Sequence, residues 1–398
     1  MTTLTISANA PATTRPKLMS RALLIRFVSI VGSSASFYLM LSVVPLYARS
    51  AGASTSLAGL ATTALSLSTT AGYLPTPRLV ARYGHRAVLA AGLTLLGAPA
   101  LVLALSANQA VIMAVCVVRG IGFAITCVSG GALTVSLIPP ERRGEGLALV
   151  GIVGGIPSVA ALPLGVWLAG HVGYRPVFVA AALAALAPIA SLSSLPGAPA
   201  SPAKDPTDRR ATGVVAGLRV AGVVRLAIVF GATTTAVGIL VTFLPLAAGG
   251  AAAPALLCQP AAAIGGRWLA GRYGDRASAA GAARLLVSGV LLAAVGFALL
   301  SQHAPVLVMA GAVLFGVGFG IAQNVTATRM YDLVPESGYS AVSAVWNLAY
   351  DAGMGIGAAG FGVLAAHTGY PGGFFITAIA LPIPLVLIAR RNRWTKAR

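Results

Sequence analysis

Long runs without a single charge constrain this chain more than any other feature. Leu101 to Val118 and Leu147 to Gly170 each contain no Asp, Glu, Lys or Arg. Apolar runs of about 18 residues or more can cross the ~30 Å hydrocarbon layer of a bilayer as helices. Water cannot satisfy backbone N–H and C=O groups there, so only a helix or a closed barrel spans it. Strand-like alternation of apolar and polar residues is missing, which removes the barrel. Composition agrees: 57% of residues are hydrophobic and 9% charged, against about 25% charged in a soluble globular chain. The expected fold is an all-α polytopic membrane protein.

Walking the chain gives twelve spans, at 22–47, 55–76, 87–106, 108–138, 146–170, 176–195, 222–247, 251–267, 283–301, 305–329, 340–366 and 373–390. The eighth is the weakest, being short, Ala-rich and interrupted by Pro254 and Pro260. Residues 196–221 carry Pro196, Pro199, Pro202, Lys204, Asp205, Pro206, Asp208, Arg209 and Arg210, the composition of a linker. The expected organisation is a tail at 1–21, a six-helix bundle at 22–195, this linker, a second six-helix bundle at 222–390 and a tail at 391–398. Residues 1–20 have no apolar core, so the first span is expected to act as an uncleaved anchor.

A net charge of +19 would suggest nucleic acid in a soluble protein. Here the charges sit at one end of the spans. If the N-terminus is cytoplasmic, Arg15, Lys17, Arg21, Arg26, Arg78, Arg82, Arg86, Arg142, Arg143, Lys204, Arg209, Arg210, Arg267, Arg272, Arg276 and the Arg390–Arg398 tail all fall at cytoplasmic ends. Only Arg49 and Arg175 fall in outside loops, and Arg119 falls inside a span. Such asymmetry orients a membrane protein with its basic loops, and here both termini, in the cytoplasm. The partner of those loops is then anionic lipid rather than nucleic acid. Cys116, Cys127 and Cys258 lie in separate places within spans and offer neither a disulfide framework nor a metal-ligand spacing.

The two halves repeat. The stretch from Val118 to Ala124 lines up with Leu314 to Gly320 at an offset of 196, and the same offset carries Leu168–Tyr174 onto Leu364–Tyr370. Arg82-Tyr83-Gly84-His85-Arg86 matches Arg272-Tyr273-Gly274-Asp275-Arg276 at an offset of 190, and Val44-Pro45-Leu46 matches Leu244-Pro245-Leu246 at 200. A six-helix unit is therefore duplicated in the same membrane orientation. Parallel repeats of this kind place a binding site at their interface near the mid-plane, and rocking of one half against the other alternates its access.

With these motifs the chain resembles the major facilitator superfamily over essentially its whole length. Pro77-Arg78-Leu79-Val80-Ala81-Arg82-Tyr83-Gly84-His85-Arg86 is similar to the family's loop between spans 2 and 3, and Arg267 to Arg276 echoes it. The Arg-x-Gly-x-Arg core (Arg82, Gly84, Arg86; Arg272, Gly274, Arg276) is present twice. The family's acidic position is Ala81 and Gly271 here, so the charge latch that the resemblance would imply lacks its carboxylate. Arg119-Gly120-Ile121-Gly122 is similar to the family's Arg-containing motif in span 4, associated with proton coupling. Gly151, Gly155, Pro163 and Gly165 resemble the Gly/Pro motif of span 5 typical of antiporters that export drugs or metabolites, with Leu162 where the family has Gly. Packing alone accounts for the same residues, because Gly at four-residue spacing lets helices approach and Pro bends a span. Pro45 and Pro245 are expected bends that shape the gates.

Eight acidic residues are present, and seven (Glu141, Glu145, Asp205, Asp208, Asp275, Asp332 and Glu336) fall in loops or linker. Asp351 alone lies well inside a span, and Arg119 is the matching base. An ionisable group at a helix centre costs about 2.5–3.5 kcal/mol on insertion scales and is a functional candidate on that ground. The repeat sets Asp351 opposite Gly155, and Asn347 opposite Gly151, with Asn347 and Asp351 one turn apart on one face. A carboxyl so placed can take up and release a proton as its surroundings alternate. A paired structural acid, and an Arg119 that bonds backbone carbonyls at a Gly-rich crossing, are the structural alternatives.

The resemblance walls the cavity with spans 1, 4, 7 and 10, which offer Ser33, Ser36 and Tyr38; Thr233, Thr234 and Thr235; and Gln323 and Asn324 as substrate contacts. His171 and His367, each followed by Gly and Tyr, are expected to form structural turns. No phosphate-cradling Gly-x-x-x-x-Gly-Lys-Ser/Thr loop occurs, so ATP is not the direct energy source and no cofactor is expected. A membrane-embedded enzyme would need a metal cluster, a paired acid or a nucleophile with its base, which a lone Asp and a lone Arg do not supply. The leading expectation is a secondary transporter, not an enzyme. It would work as a monomer by proton-coupled efflux (antiport) of a small drug-like molecule or metabolite, in a bacterial cytoplasmic (inner) membrane. Proton-linked uptake or facilitated diffusion of a nutrient is the alternative, and a non-transporting sensor a remote one.

Overall fold

The computed structural model describes residues 19–138, 143–194, 217–274, 278–335 and 339–386. Its helices run α1 (Arg21–Leu41), α2 (Val43–Ser50), α3 (Thr55–Tyr73), α4 (Thr76–Leu103), α5 (Gln109–Leu137), α6 (Arg143–His171), α7 (Tyr174–Ser191), α8 (Ala221–Ala247), α9 (Ala252–Gly274), α10 (Ala279–Leu300), α11 (Pro305–Tyr331) and α12 (Tyr339–Ala380). No strand occurs among the described residues. Nine runs among them are long and apolar enough to cross a membrane. The Thr- and Ser-rich α3 and the Ala- and Gly-rich α9 are long helices outside these nine, and α12 is divided in two by Gly369.

The breaks have local causes. Pro45 has no N–H and crowds the carbonyl four residues earlier, so α1 and α2 meet in a break at Ser42 while remaining one span. The second span runs from α3 through the first turns of α4, and the chain reverses at Gly84, where φ is +78°. In α12 it reverses at Gly369, with φ +71°, dividing the eleventh expected span from the twelfth. Gly173, the repeat partner of Gly369, also has positive φ, +97°. Before each of these two glycines a histidine ring meets the carbonyl one turn back, His171 on Trp167 at 2.8 Å and His367 on Val363 at 2.9 Å. Both histidines are turn-formers, as expected.

Two expectations are corrected. The eighth span is not a broken segment at 251–267 but one continuous helix, α9. Pro254 falls in its first turn, where a missing N–H leaves nothing unpaired, and Pro260 is accommodated without interruption. Pro245 likewise sits buried inside an unbroken α8, so of the two matched prolines only Pro45 interrupts its span. The tails and the linker proper lie outside the described residues.

The halves pack alike. In the first, α3 and α4 pack on α5, and α1 lies against α6 and α7; in the second, α9 and α10 pack on α11, and α8 lies against α12. Two seams join the halves, α3 against α12 and α6 against α9. Below, the basic end is the one carrying Arg21, Arg78, Arg82, Arg86 and Arg272, and the far end carries Gly52, Gly173, Gly249 and Gly369.

Neutral contacts close the halves together toward the far end. Ser42 donates to the Val241 carbonyl at 2.5 Å, Ser56 to Gly362 at 3.1 Å and Thr63 to Gly355 at 2.8 Å. The Thr242 hydroxyl donates to that of Thr62 at 2.9 Å. Gly59 packs so tightly that a Cβ there would run into the Ala358 carbonyl and come within 2.9 Å of the Phe243 ring.

Candidate substrate and proton site

Membrane-spanning helices satisfy their own backbones, so the side chains that remain polar between the halves define the site. Asp351 lies near the middle of the first limb of α12 and is 5% exposed. Across the seam, the Tyr73 hydroxyl at the end of α3 lies within hydrogen-bonding reach of its carboxylate. Tyr38 and Tyr350 also lie within range of the Asp351 charge, as does Cys127 on α5. Cys127 is solvent-exposed although it sits among these groups, and Tyr38, Tyr73, Asn347 and Tyr350 are half-buried. These side chains gather between the halves. Exposed Arg267 on α9 acts electrostatically on both Tyr38 and Tyr350, which places a cation at their edge.

Arg119 is 3% exposed and stays within the first half. Its guanidinium donates to the Leu96 carbonyl at 2.5 Å and to the Ser36 carbonyl at 2.9 Å, with the Ser36 hydroxyl at 3.5 Å. It therefore fastens α5 to α4 and α1. The structure does not bring Arg119 and Asp351 together. Nor is Arg119 the one intramembrane base: Arg26, expected in the basic rim, is 4% exposed and folded inward. It fills the space left by Gly130 and donates to the Gly130 carbonyl, Thr134 and Ser29 at 3.1, 3.0 and 2.5 Å. Burying a guanidinium requires such bonds, and carbonyls and hydroxyls supply them without a carboxylate.

The softer candidates divide. Ser33 returns its hydroxyl to Ile30, and Ser36 serves Arg119. Thr234 donates to the Ala349 carbonyl at 3.0 Å and staples α8 to α12; Thr233 and Thr235 bond within α8. Asn347 donates to the Ser343 carbonyl on its own helix at 2.9 Å. Gln323 and Asn324 are half-buried on α11, and the buried Gln323 Oε1 has no partner. The same is true of Trp346 Nε1, whose ring stacks on Phe230 at 4.6 Å and lies 6.0 Å from the Tyr350 ring. This aromatic wall, Tyr73, Cys127 and Arg26 were not legible as site residues.

In the loop motif, Arg82 lies over the Tyr83 ring at 5.2 Å and Arg272 over Trp268 at 5.5 Å. Arg86 is exposed and Gly274 ends α9; Arg276 lies outside the described residues. In α6, Gly165 abuts the Leu39 carbonyl, and Pro163 is buried beside it. Gly155 meets nothing within 4 Å, whereas Gly165 makes the close approach. Gly151 is helical within α6.

Comparison with known proteins agrees with this architecture. The Major Facilitator Superfamily model matches residues 26–358. No curated protein sequence matches the chain. Among solved structures, a POT family transporter in complex with a thioalcohol-conjugated peptide superposes with a TM-score of 0.76 at 14% identity, covering 94% of this chain and 96% of that one. The nucleoside transporter NupG gives 0.74 at 13% identity, over 93% and 99% of the two chains. A bacterial homologue of the human lysosomal transporter Spinster, in an inward-facing and occupied conformation, gives 0.70 at 14%, over 92% and 94%. The match covers most of the chain, and the all-helical fold with nine membrane-length apolar runs among the described residues stands beside it. The chain belongs to the major facilitator superfamily and is a multi-pass membrane protein, a secondary transporter of small molecules.

Proposed function

We propose that the chain is a proton-coupled antiporter that exports a small amphipathic molecule, with Asp351 as the proton carrier. The observation that carries the reading is the placement of Asp351. Among the described residues it is the one carboxyl buried in the bundle. It sits on the seam between the halves, where rocking changes its surroundings, near the exposed Cys127. Losing and regaining access in this way is what a carrier of a coupled proton requires. Arg119 and Arg26 support it indirectly, by holding α5 against α1 and α4 as the first half rocks against α12.

Tyr38, Gln323, Asn324 and Asn347 remain the substrate contacts we favour, joined by Trp346 and Tyr350. A flat apolar wall with an unpartnered indole N–H and an unpartnered amide oxygen suits an amphipathic molecule carrying few polar groups. Export rests on the likeness of Pro163 and Gly165 in α6 to the antiporter motif, with Gly165 packed against the Leu39 carbonyl. The basic end faces the cytoplasm by the charge asymmetry. The far-end contacts then belong to a state closed to the outside, in a monomer of a bacterial inner membrane with cytoplasmic termini.

The test is proton release from inside-out vesicles, acidified inside and followed with a pH-sensitive dye across a panel of drugs and metabolites. A compound that discharges the gradient from the cytoplasmic face supports antiport and names the substrate class. If no compound added at the cytoplasmic face discharges the gradient, while a compound preloaded in the lumen leaves together with protons and does discharge it, symport takes the place of antiport.

A further inference from the structure

Serine and threonine in a buried helix ordinarily return the hydroxyl hydrogen to a carbonyl three or four residues back. On the second span, Ser68, Thr69 and Thr76 do so at 2.9, 2.8 and 2.6 Å. Ser66 and Thr70 do not: both hydroxyl oxygens are buried and neither has a partner. A buried hydroxyl left unpaired costs about 1–3 kcal/mol, so two on one span call for an occupant.

Their position identifies the occupant. Ser66 is 1% exposed, and its Cβ would lie 3.2 Å from a Cβ built on Gly355 of α12. The two helices run antiparallel. Ser56 meets Gly362 and Thr63 meets Gly355, and the same register carried one turn toward the basic end sets Asp351 level with Leu67, between Ser66 and Thr70 along the chain. Tyr73 follows and reaches the carboxylate. Ser66, Thr70 and Tyr73, at i, i+4 and i+7, share one face of the helix. Two unpartnered hydroxyls, a phenol and a carboxyl thus converge on the seam. A buried water ordinarily makes two to four hydrogen bonds, and Ser66, Thr70 and Asp351 offer three.

We propose that a buried water occupies the niche between Ser66, Thr70 and Asp351, and that it and the two hydroxyls relay the coupled proton between the far-end aqueous phase and Asp351. The proposal rests on the reading of Asp351 as the carrier. A hydronium reaching Ser66 gives up one proton. Each hydroxyl and the water then accept one proton and pass another on, so they end unchanged while the carboxylate becomes a carboxyl. In the closed seam the route stops beyond Ser66, at the Thr63–Gly355 and Ser56–Gly362 bonds, the Thr62–Thr242 pair and Gly59 against Ala358. The gate and the proton route are the same surface, which prevents a leak while the cavity opens at the basic end. The titratable groups facing Asp351 from that side are Tyr73, Tyr350, Tyr38 and Cys127, with Arg267 acting on the two tyrosines Tyr38 and Tyr350.

The test is time-resolved infrared spectroscopy of the full chain in oriented proteoliposomes, after an acid jump on one side at a time. The band read is the carboxyl stretch that Asp351→Asn removes. With the far-end side acidified, Thr70→Val and Ser66→Ala should protonate Asp351 at least tenfold more slowly than wild type, and Thr70→Ser should match wild type. With the basic-end side acidified, all four proteins should agree. A water O–H band shifted by H2(18)O should also vanish in Thr70→Val and Ser66→Ala. Equal slowing from both sides, or no slowing from the far end, overturns the relay and leaves the carrier intact. A carboxyl band that does not titrate in wild type defeats the carrier reading, and the relay with it.

Discussion

Gly59 offers the sharpest handle on the conformational equilibrium. A valine there places its Cβ on the Ala358 carbonyl and within 2.9 Å of the Phe243 ring, while both neighbours belong to the opposite half. The clash exists only while the far end is closed, so it acts on that state and spares the packing within each half. Overpacking a fitted contact costs about 1–3 kcal/mol, which shifts an equilibrium about 5- to 150-fold. Cys127 supplies the readout, because it is exposed in the space between the halves whereas Cys116 is buried. In a Cys258→Ser background, alkylation of Cys127 by a membrane-impermeant maleimide added at the basic end should slow in Gly59→Val. The ratio of closed to open far end should fall by the factor above. Unchanged alkylation in a protein of unchanged melting temperature would refute the assignment of this contact to the gate.

Other perturbations follow the same logic. Ser42→Ala and Thr242→Val each remove one hydrogen bond between halves, worth about 0.5–1.5 kcal/mol, and should favour the open far end in the same alkylation assay by about 2- to 13-fold. Arg119→Met removes the hydrogen bonds that tie α5 to the Leu96 and Ser36 carbonyls, each from a charged donor and worth about 1.5–3 kcal/mol, and should lower the melting temperature in detergent. Arg119→Lys should recover part of it, since one ammonium can still donate to both carbonyls. Arg26→Leu should open the gap beside Gly130 and destabilise the protein comparably, with no effect on the infrared carboxyl band of Asp351.

Much of the fold could be read from the chain because membrane burial leaves a one-dimensional record. Apolar runs placed the spans, and the Leu168–Tyr174 and Leu364–Tyr370 match foretold two reversals that both close on a positive-φ glycine behind a histidine. Helix propensity alone overstates the two prolines of the eighth span, because Pro254 falls in a first turn and neighbouring helices accommodate Pro260. Asp351 was found because a charge inside a span is conspicuous. Tyr73 was not, because one tyrosine near a span end carries no signal until α3 is set in register with α12. Arg26 looked like one more basic-rim residue; only Gly130, Ser29 and Thr134, grouped around it by folding, distinguish it. The repeat could align Asp351 with Gly155, but not that Gly155 faces open space.

The central claim is that one carboxyl couples substrate movement to protons. Its most direct test compares wild type with Asp351→Asn in proteoliposomes loaded with a substrate found in the vesicle panel. Counterflow with no pH gradient needs only alternating access, and an imposed gradient needs the carrier. The account predicts that Asp351→Asn keeps counterflow within about twofold of wild type, a change under 0.5 kcal/mol, and loses all acceleration by the gradient. Gradient-driven transport that persists in Asp351→Asn would contradict it.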